Sequence, residues 1–228
     1  MRSHGWTVAE VVAWTTGLAS LLVYGASYVD RVIASQQAMR SFATLQAAAE
    51  RSVETTDVSL WSAERIAAWR SALNDTSPEP LAVLRIPRIR LEVPVLKGTD
   101  EVTLNRAVGH IEDTAIPGSD GNSGIAGHRD GFFRGLKDIA VGDAIELETL
   151  EAREVYRVER TWIVDPEDIS VLDPTTTRSL TLVTCYPFYY VGSAPKRFIV
   201  RAVRVDTTEF ASADEGSRLP YEFAGVGR

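Results

Sequence analysis

The chain holds one cysteine, which ends an apolar, β-branched run, Thr181-Leu182-Val183-Thr184-Cys185, just before Tyr186-Pro187. A second short run brings His128 to its tip within Gly124-Ile125-Ala126-Gly127-His128-Arg129-Asp130. Arg197 opens a third, Phe198-Ile199-Val200. A thiol, an imidazole and a guanidinium at strand tips are the parts needed for acyl transfer through a thioester. An unperturbed thiol ionises at about pH 8.5, so only a small share is thiolate at neutral pH, and a cationic neighbour enlarges that share. His128 as imidazolium supplies such a charge and can then protonate a leaving amine. Arg197 stays charged throughout and can stabilise an oxyanion or hold substrate backbone. Backbone N–H groups after Cys185 are further oxyanion donors, except at Pro187, which has none.

Each residue also has a plainer role open to it. A free cysteine is commonly a small buried hydrophobe. His128 in a glycine-rich turn can serve loop carbonyls, and Arg197 can be an ordinary surface cation. Lys196 and Arg201 are substitutes for its charge, and His110 is the alternative imidazole among His4, His110 and His128. A single cysteine forms no intramolecular disulfide. With no CxxC or HxxxH spacing, one Cys and three His are thin for zinc, so no metal is expected. No glycine-rich phosphate loop is present, so no nucleotide cofactor is expected. The net charge of −7 argues against a nucleic-acid partner.

The elements that must position these groups are short strands. If Leu180–Cys185 and Arg197–Val205 pair as consecutive antiparallel strands, the loop from Tyr186 to Lys196 brings Cys185 beside Arg197 at one rim. Leu81–Ile86, Leu91–Leu96, Ser123–Gly127, Ala144–Leu150 and Val155–Val164 also read as strands, with Pro87 and Pro94 suggesting edge or bulge positions. Thr103–Val108 reads as a helical turn and Phe132–Ile139 as a short helix. Turn residues cluster at Ile116–Asn122 and at Gly142-Asp143. Many short strands with little helix predict a closed or nearly closed β-barrel over residues 81–205.

Ahead of it, Val11–Val29 carries no charged residue over 19 positions, close to the ~20 that cross a bilayer core as a helix. Trp14, Tyr24 and Tyr28 suit interfacial belts. Residues 1–30 are therefore expected to be a cytoplasmic amino terminus with a transmembrane anchor; the rivals are a signal peptide cleaved after Ala34 and a buried core helix, against which the lack of a polar face speaks. Residues 31–80 read as a helical stalk or linker, in which Ile66, Trp69 and Leu73 form a stripe that should dock on the domain or on a neighbouring helix. Asn74 to Pro80 is a boundary linker, and 206–228 an acidic tail.

The motifs together resemble the sortase family. Thr181-Leu182-Val183-Thr184-Cys185 is similar to its TLxTC signature, Gly127-His128 to its histidine site, and Lys196-Arg197-Phe198 to its arginine site. Leu84-Arg85-Ile86-Pro87, Pro117-Gly118, Gly121-Asn122 and Gly142-Asp143 match further landmarks in order. Gly127–Phe133 and Cys185–Phe188 look most like class D sortases and their Gram-negative relatives.

The resemblance implies a mainly β, eight-stranded barrel with short helices and one amino-terminal membrane helix. It also implies a cysteine transpeptidase with His128, Cys185 and Arg197 catalytic and Thr184 positioning substrate. Cys185 would cleave an LPxTG-like sorting signal between Thr and Gly and pass the acyl chain to an amine, from a peptidoglycan precursor or a pilin lysine. The expected location is the bacterial inner membrane, with the barrel on its extracytoplasmic side. Another envelope thiol enzyme, such as an L,D-transpeptidase or a peptidase, and a non-catalytic peptide-binding barrel are the alternatives. The first lacks its usual Ser-His-Gly-Cys context here; the second has no need of all three residues.

Overall fold

A computed structural model describes residues 14–24, 40, 43–51, 53–74, 80–189 and 192–206. The chain divides into two compact units, Met1–Ala43 and Thr44–Arg228. In the first, residues 14–24 are helical and exposed. No helix among the described residues is long and apolar enough to cross a membrane. The flanks of Val11–Val29, most of the expected linker before Pro80 and the acidic tail beyond Asp206 lie outside the described residues.

The second unit is built on eight strands: β1 (Ala82–Ile86), β2 (Leu91–Lys97), β3 (Val108–His110), β4 (Asn122–Ala126), β5 (Ala144–Thr149), β6 (Arg153–Val164), β7 (Ser179–Tyr186) and β8 (Lys196–Val205). They close into a barrel in the order β1-β2-β3-β4-β7-β8-β6-β5. Two neighbouring pairs, β2/β3 and β4/β7, are parallel. Closure removes free sheet edges, which suits a domain of such short strands. Alternation along each strand fills the interior with Leu84, Val93, Val95, Ile125, Leu147, Leu180, Leu182, Val200 and Ala202, all buried.

Local chemistry explains the corners. Pro87 opens a single-turn helix, Pro87–Ile89, and Arg90 closes it at φ 52° before β2 begins. β3 pairs only with Val95 to Lys97, so Pro94 sits where β2 has a ladder partner on one side alone. The crossover from β2 to β3 runs through a short helix, α2, which we number after the earlier α1 (Ala63–Ala72) and which spans Glu101–Arg106. Asp100 caps α2 by accepting from the Thr103 N–H at 3.0 Å. Gly109 must be glycine here: a Cβ would stand 2.1 Å from the Gly98 carbonyl oxygen.

Residues ahead of the barrel pack on it. Leu45, Ala48 and Ala49 are buried with Val83 of β1. α1, capped by the Ser62 hydroxyl on the Arg65 N–H, lays Trp69 against the rim of the barrel core. Trp61 bridges the two, edge-on to Trp69 at 5.8 Å and to Phe132 at 4.8 Å between ring centres. From Thr44 on, the expected 31–80 stalk is thus a layer on the barrel rather than a free spacer, because its apolar side chains find cover there. Of the Ile66–Trp69–Leu73 stripe, Trp69 packs on the domain, one of the two destinations its spacing allowed.

Candidate active site

Strand direction assembles the site. β4 and β7 run parallel, with Ala126 opposite Val183. His128 and Cys185 each lie two residues past that pair, so both tips emerge at the same end of the barrel. β8 runs antiparallel to β7, and its start returns there: Cys185 pairs in register with Arg197. Alternation then sorts the faces. Leu180, Leu182 and Thr184 share the inward face with Ala202, Val200 and Phe198, whereas Thr181, Val183 and Cys185 face outward with Arg201, Ile199 and Arg197. The thiol and the guanidinium therefore lie on one outer surface, both half-buried.

The His128 loop is fastened to β7 by two hydrogen bonds. The Gly127 N–H donates to the Val183 carbonyl at 3.2 Å, and the Thr184 hydroxyl donates to the Gly127 carbonyl at 2.7 Å. Gly127 is required because a Cβ would stand 2.7 Å from the buried Phe133 ring. The His128 carbonyl accepts from the N–H groups of Gly131 and Phe133, turning the chain into the 3₁₀ helix Phe132–Asp138. His128 Nε2 is buried and has no hydrogen-bond partner, so it is free to exchange a proton with a thiol or an amine. Burial first, then the Arg65 guanidinium, hold the imidazole below its ordinary range, while Asp130 and Glu101 pull the other way.

Thr184, expected from the resemblance to position substrate, is only 2% exposed and inward-facing, and its hydroxyl donates to the Gly127 carbonyl. Its part is to fix the loop that carries His128. Thr184→Val keeps the shape but leaves a buried carbonyl without its donor, an expected loss of about 1–3 kcal/mol. Denaturant unfolding measures that loss, and kcat should fall more than KM rises as the His128 loop loosens.

The alternatives weighed from sequence fall elsewhere. His110 is buried in β3, its Nε2 at 3.0 Å from the Ala115 carbonyl and 3.1 Å from the Thr114 hydroxyl. Lys196 pairs with Asp165 at 2.6 Å, and Arg201 donates to the Val171 carbonyl at 2.7 Å. Arg197 keeps its place by donating to the carbonyls of Ala194 and Lys196, at 3.3 and 3.1 Å. Among the described residues no group of three His, Cys, Asp or Glu side chains could hold a metal ion.

Two arginines that the sequence did not single out clasp the loop after Cys185. Arg129 donates to the carbonyls of Pro187 and Gly192, at 3.3 and 2.8 Å. Arg134 donates to the Phe188 carbonyl and stacks 4.3 Å from the Tyr189 ring centre. Tyr186, Phe188 and Phe198 pack together beneath. The available signal was position alone: Arg129 lies inside the Gly127–Phe133 motif and Arg134 directly after it. Arginine alone does not reveal a carbonyl partner on another loop.

This arrangement brings a thiol, an imidazole and a guanidinium to one end of the barrel. A family model described as the sortase domain matches residues 84–205, which spans the barrel. The chain is 40% identical over 124 residues to sortase D of Bacillus subtilis (strain 168), covering 54% of this chain and 63% of that protein. It thus spans somewhat less than two thirds of the length of the curated relatives it matches. Among solved structures, a Clostridium perfringens sortase D5 transpeptidase aligns with TM-score 0.53 and 27% identity, over 72% of this chain and 96% of that one. Sortase C1 from Streptococcus agalactiae aligns with TM-score 0.52 and 30% identity, over 64% and 77%. With barrel topology, motif order and the match over most of the barrel in agreement, this chain belongs to the sortase family.

Proposed function

We propose that the protein is a membrane-anchored cysteine transpeptidase that cleaves an LPxTG-like sorting signal between Thr and Gly and joins the Thr carbonyl to an amine of the cell envelope. The observation that carries this reading is the register pair Cys185–Arg197 beside a His128 loop tied to the same strand. The sequence of steps follows from the groups available. The Cys185 proton passes to His128 Nε2, giving thiolate and imidazolium. The thiolate attacks the Thr carbonyl carbon, and the oxyanion that forms is stabilised by the Arg197 guanidinium. The Thr–Gly C–N bond breaks as His128 protonates the departing amine, leaving a thioester on Cys185. An acceptor amine then attacks the thioester and gives its proton to His128; the C–S bond breaks and a new amide is released.

The acceptor is a peptidoglycan-precursor amine or a pilin lysine. The anchor is Val11–Val29, with the barrel on the extracytoplasmic side of a bacterial inner membrane; the uncharged stretch and its flanking aromatics support this. The test incubates the full-length chain with an LPETG-containing peptide and triglycine. Mass spectrometry should find cleavage after Thr, an acyl adduct on Cys185 and a triglycine-ligated product. Absence of adduct and product with this peptide and with a library of sorting-signal variants would sink the reading. Recovery of the chain in the soluble cell fraction would overturn the anchor.

A further inference from the structure

We propose that Arg65, on the helix ahead of the barrel, is a positioning residue for the reaction, holding the His128 loop in place through Asp130. The proposal deepens the reading of His128 as the proton carrier and rests on it. Arg65 lies on α1, in the segment expected from sequence to be a stalk, yet its side chain reaches the site. One guanidinium nitrogen lies 3.2 and 3.4 Å from the two carboxylate oxygens of Asp130, two residues after His128. Another donates to the Asn105 carboxamide oxygen on α2. The fork thereby ties three elements together: α1, α2 and the catalytic loop.

Gly131 marks how close the helix comes. A Cβ there would be 3.4 Å from His128 Cβ and 3.5 Å from Arg65 Cδ, so the bare glycine lies between the helix and the imidazole stem. The Arg65 side chain is 17% exposed, and its Nε is buried without a partner. An ion pair shielded to this degree is less screened than one in open water, although Asp130 is 42% exposed. Trp61, just ahead of α1, packs edge-on to Phe132, four residues after His128.

The charges around the imidazole give the role a distinctive signature. Arg65 from α1 disfavours the imidazolium; Asp130 from the loop and Glu101 from α2 favour it. Cys185 and Arg197, paired across β7 and β8, lie at the same end of the barrel as the His128 loop. Arg65→Met removes the repelling charge and admits water, and both changes raise the pH at which His128 titrates. Asp130→Asn removes an attracting charge and leaves Arg65 less neutralised, and both changes lower it. A helix that merely props the loop mechanically predicts otherwise: loosening in either variant hydrates the ring, and both titrations move upward.

The experiment follows the three imidazoles of the full-length protein by NMR across pH, assigning His128 by the signal lost in His128→Gln. Expected are opposite displacements for Arg65→Met and Asp130→Asn, with Arg65→Lys close to the parent because the charge is kept. In the ligation assay, Arg65→Met and Arg65→Lys should both lose about 10- to 100-fold in kcat, with little change in KM, because only the fork holds Asp130 and Asn105 together. Displacements in the same direction, no displacement, or unchanged kcat in Arg65→Met would overturn the proposal. If the parent chain ligates no peptide, the transpeptidase reading fails separately, while the titrations still decide the role of Arg65.

Discussion

Cys185→Ala is expected to abolish the acyl adduct and lower ligation by about 10⁴-fold or more, since it removes the only thiol in the chain. His128→Ala should fall nearly as far, because the thiolate then lacks both its counter-charge and its proton carrier. The double variant should be no worse than the weaker single one, as groups that act as a unit lose their effect together. Cys185 and His128 are half-buried at the barrel end rather than in the core, so thermal unfolding should shift little in either case. Circular-dichroism melts and mass-spectrometric single turnovers check both halves of this expectation. Ligation persisting in Cys185→Ala would refute covalent catalysis by this site, whatever the fold.

Most of what positions those two residues was legible in the sequence. Thr181 to Cys185 is a β-branched apolar run without alternation, but once it is taken as a strand, adjacent Thr184 and Cys185 must lie on opposite faces of β7. Antiparallel return from β7 to β8 then required Arg197 to lie beside the thiol, which the register bears out. β3 was missed because three residues, Val108 to His110, are too few to display any period. The closed eight-strand count therefore came from resemblance rather than pattern. The parallel pairing of β4 with β7, which brings His128 to the same rim, has no local signature at all; it depends on the crossover through β5 and β6.

Thr184 and Arg65 show a further limit. A threonine beside a cysteine does not reveal that its inward-facing hydroxyl will satisfy the buried Gly127 carbonyl, 57 positions away. Arg65 sits in a helix whose apolar stripe predicts docking without saying where. Its partner, Asp130, is 65 positions away, and only tertiary packing unites them.

The second large effect is expected at Arg197. Arg197→Ala should lower kcat/KM by about 10²- to 10³-fold, the usual loss when one donor to a developing oxyanion is removed. Arg197→Lys should recover only part of this. The guanidinium donates through Nη1 to the carbonyls of Ala194 and Lys196, which leaves its other N–H groups for a substrate carbonyl under the proposed mechanism. A lysine ammonium carries the charge but not the planar fork that does both at once. Neighbouring cations are poor replacements: Lys196 is engaged with Asp165, and Arg201 lies four residues along β8 with its donor on Val171. Lys196→Ala should consequently leave kcat/KM near that of the parent, which separates a directed donor from diffuse positive charge. Single-turnover acylation with the LPETG peptide is the measurement, since it isolates the step in which the oxyanion forms. Equal losses in Arg197→Ala and Lys196→Ala would favour a field effect of the whole rim, and an unchanged Arg197→Ala would remove the guanidinium from the mechanism.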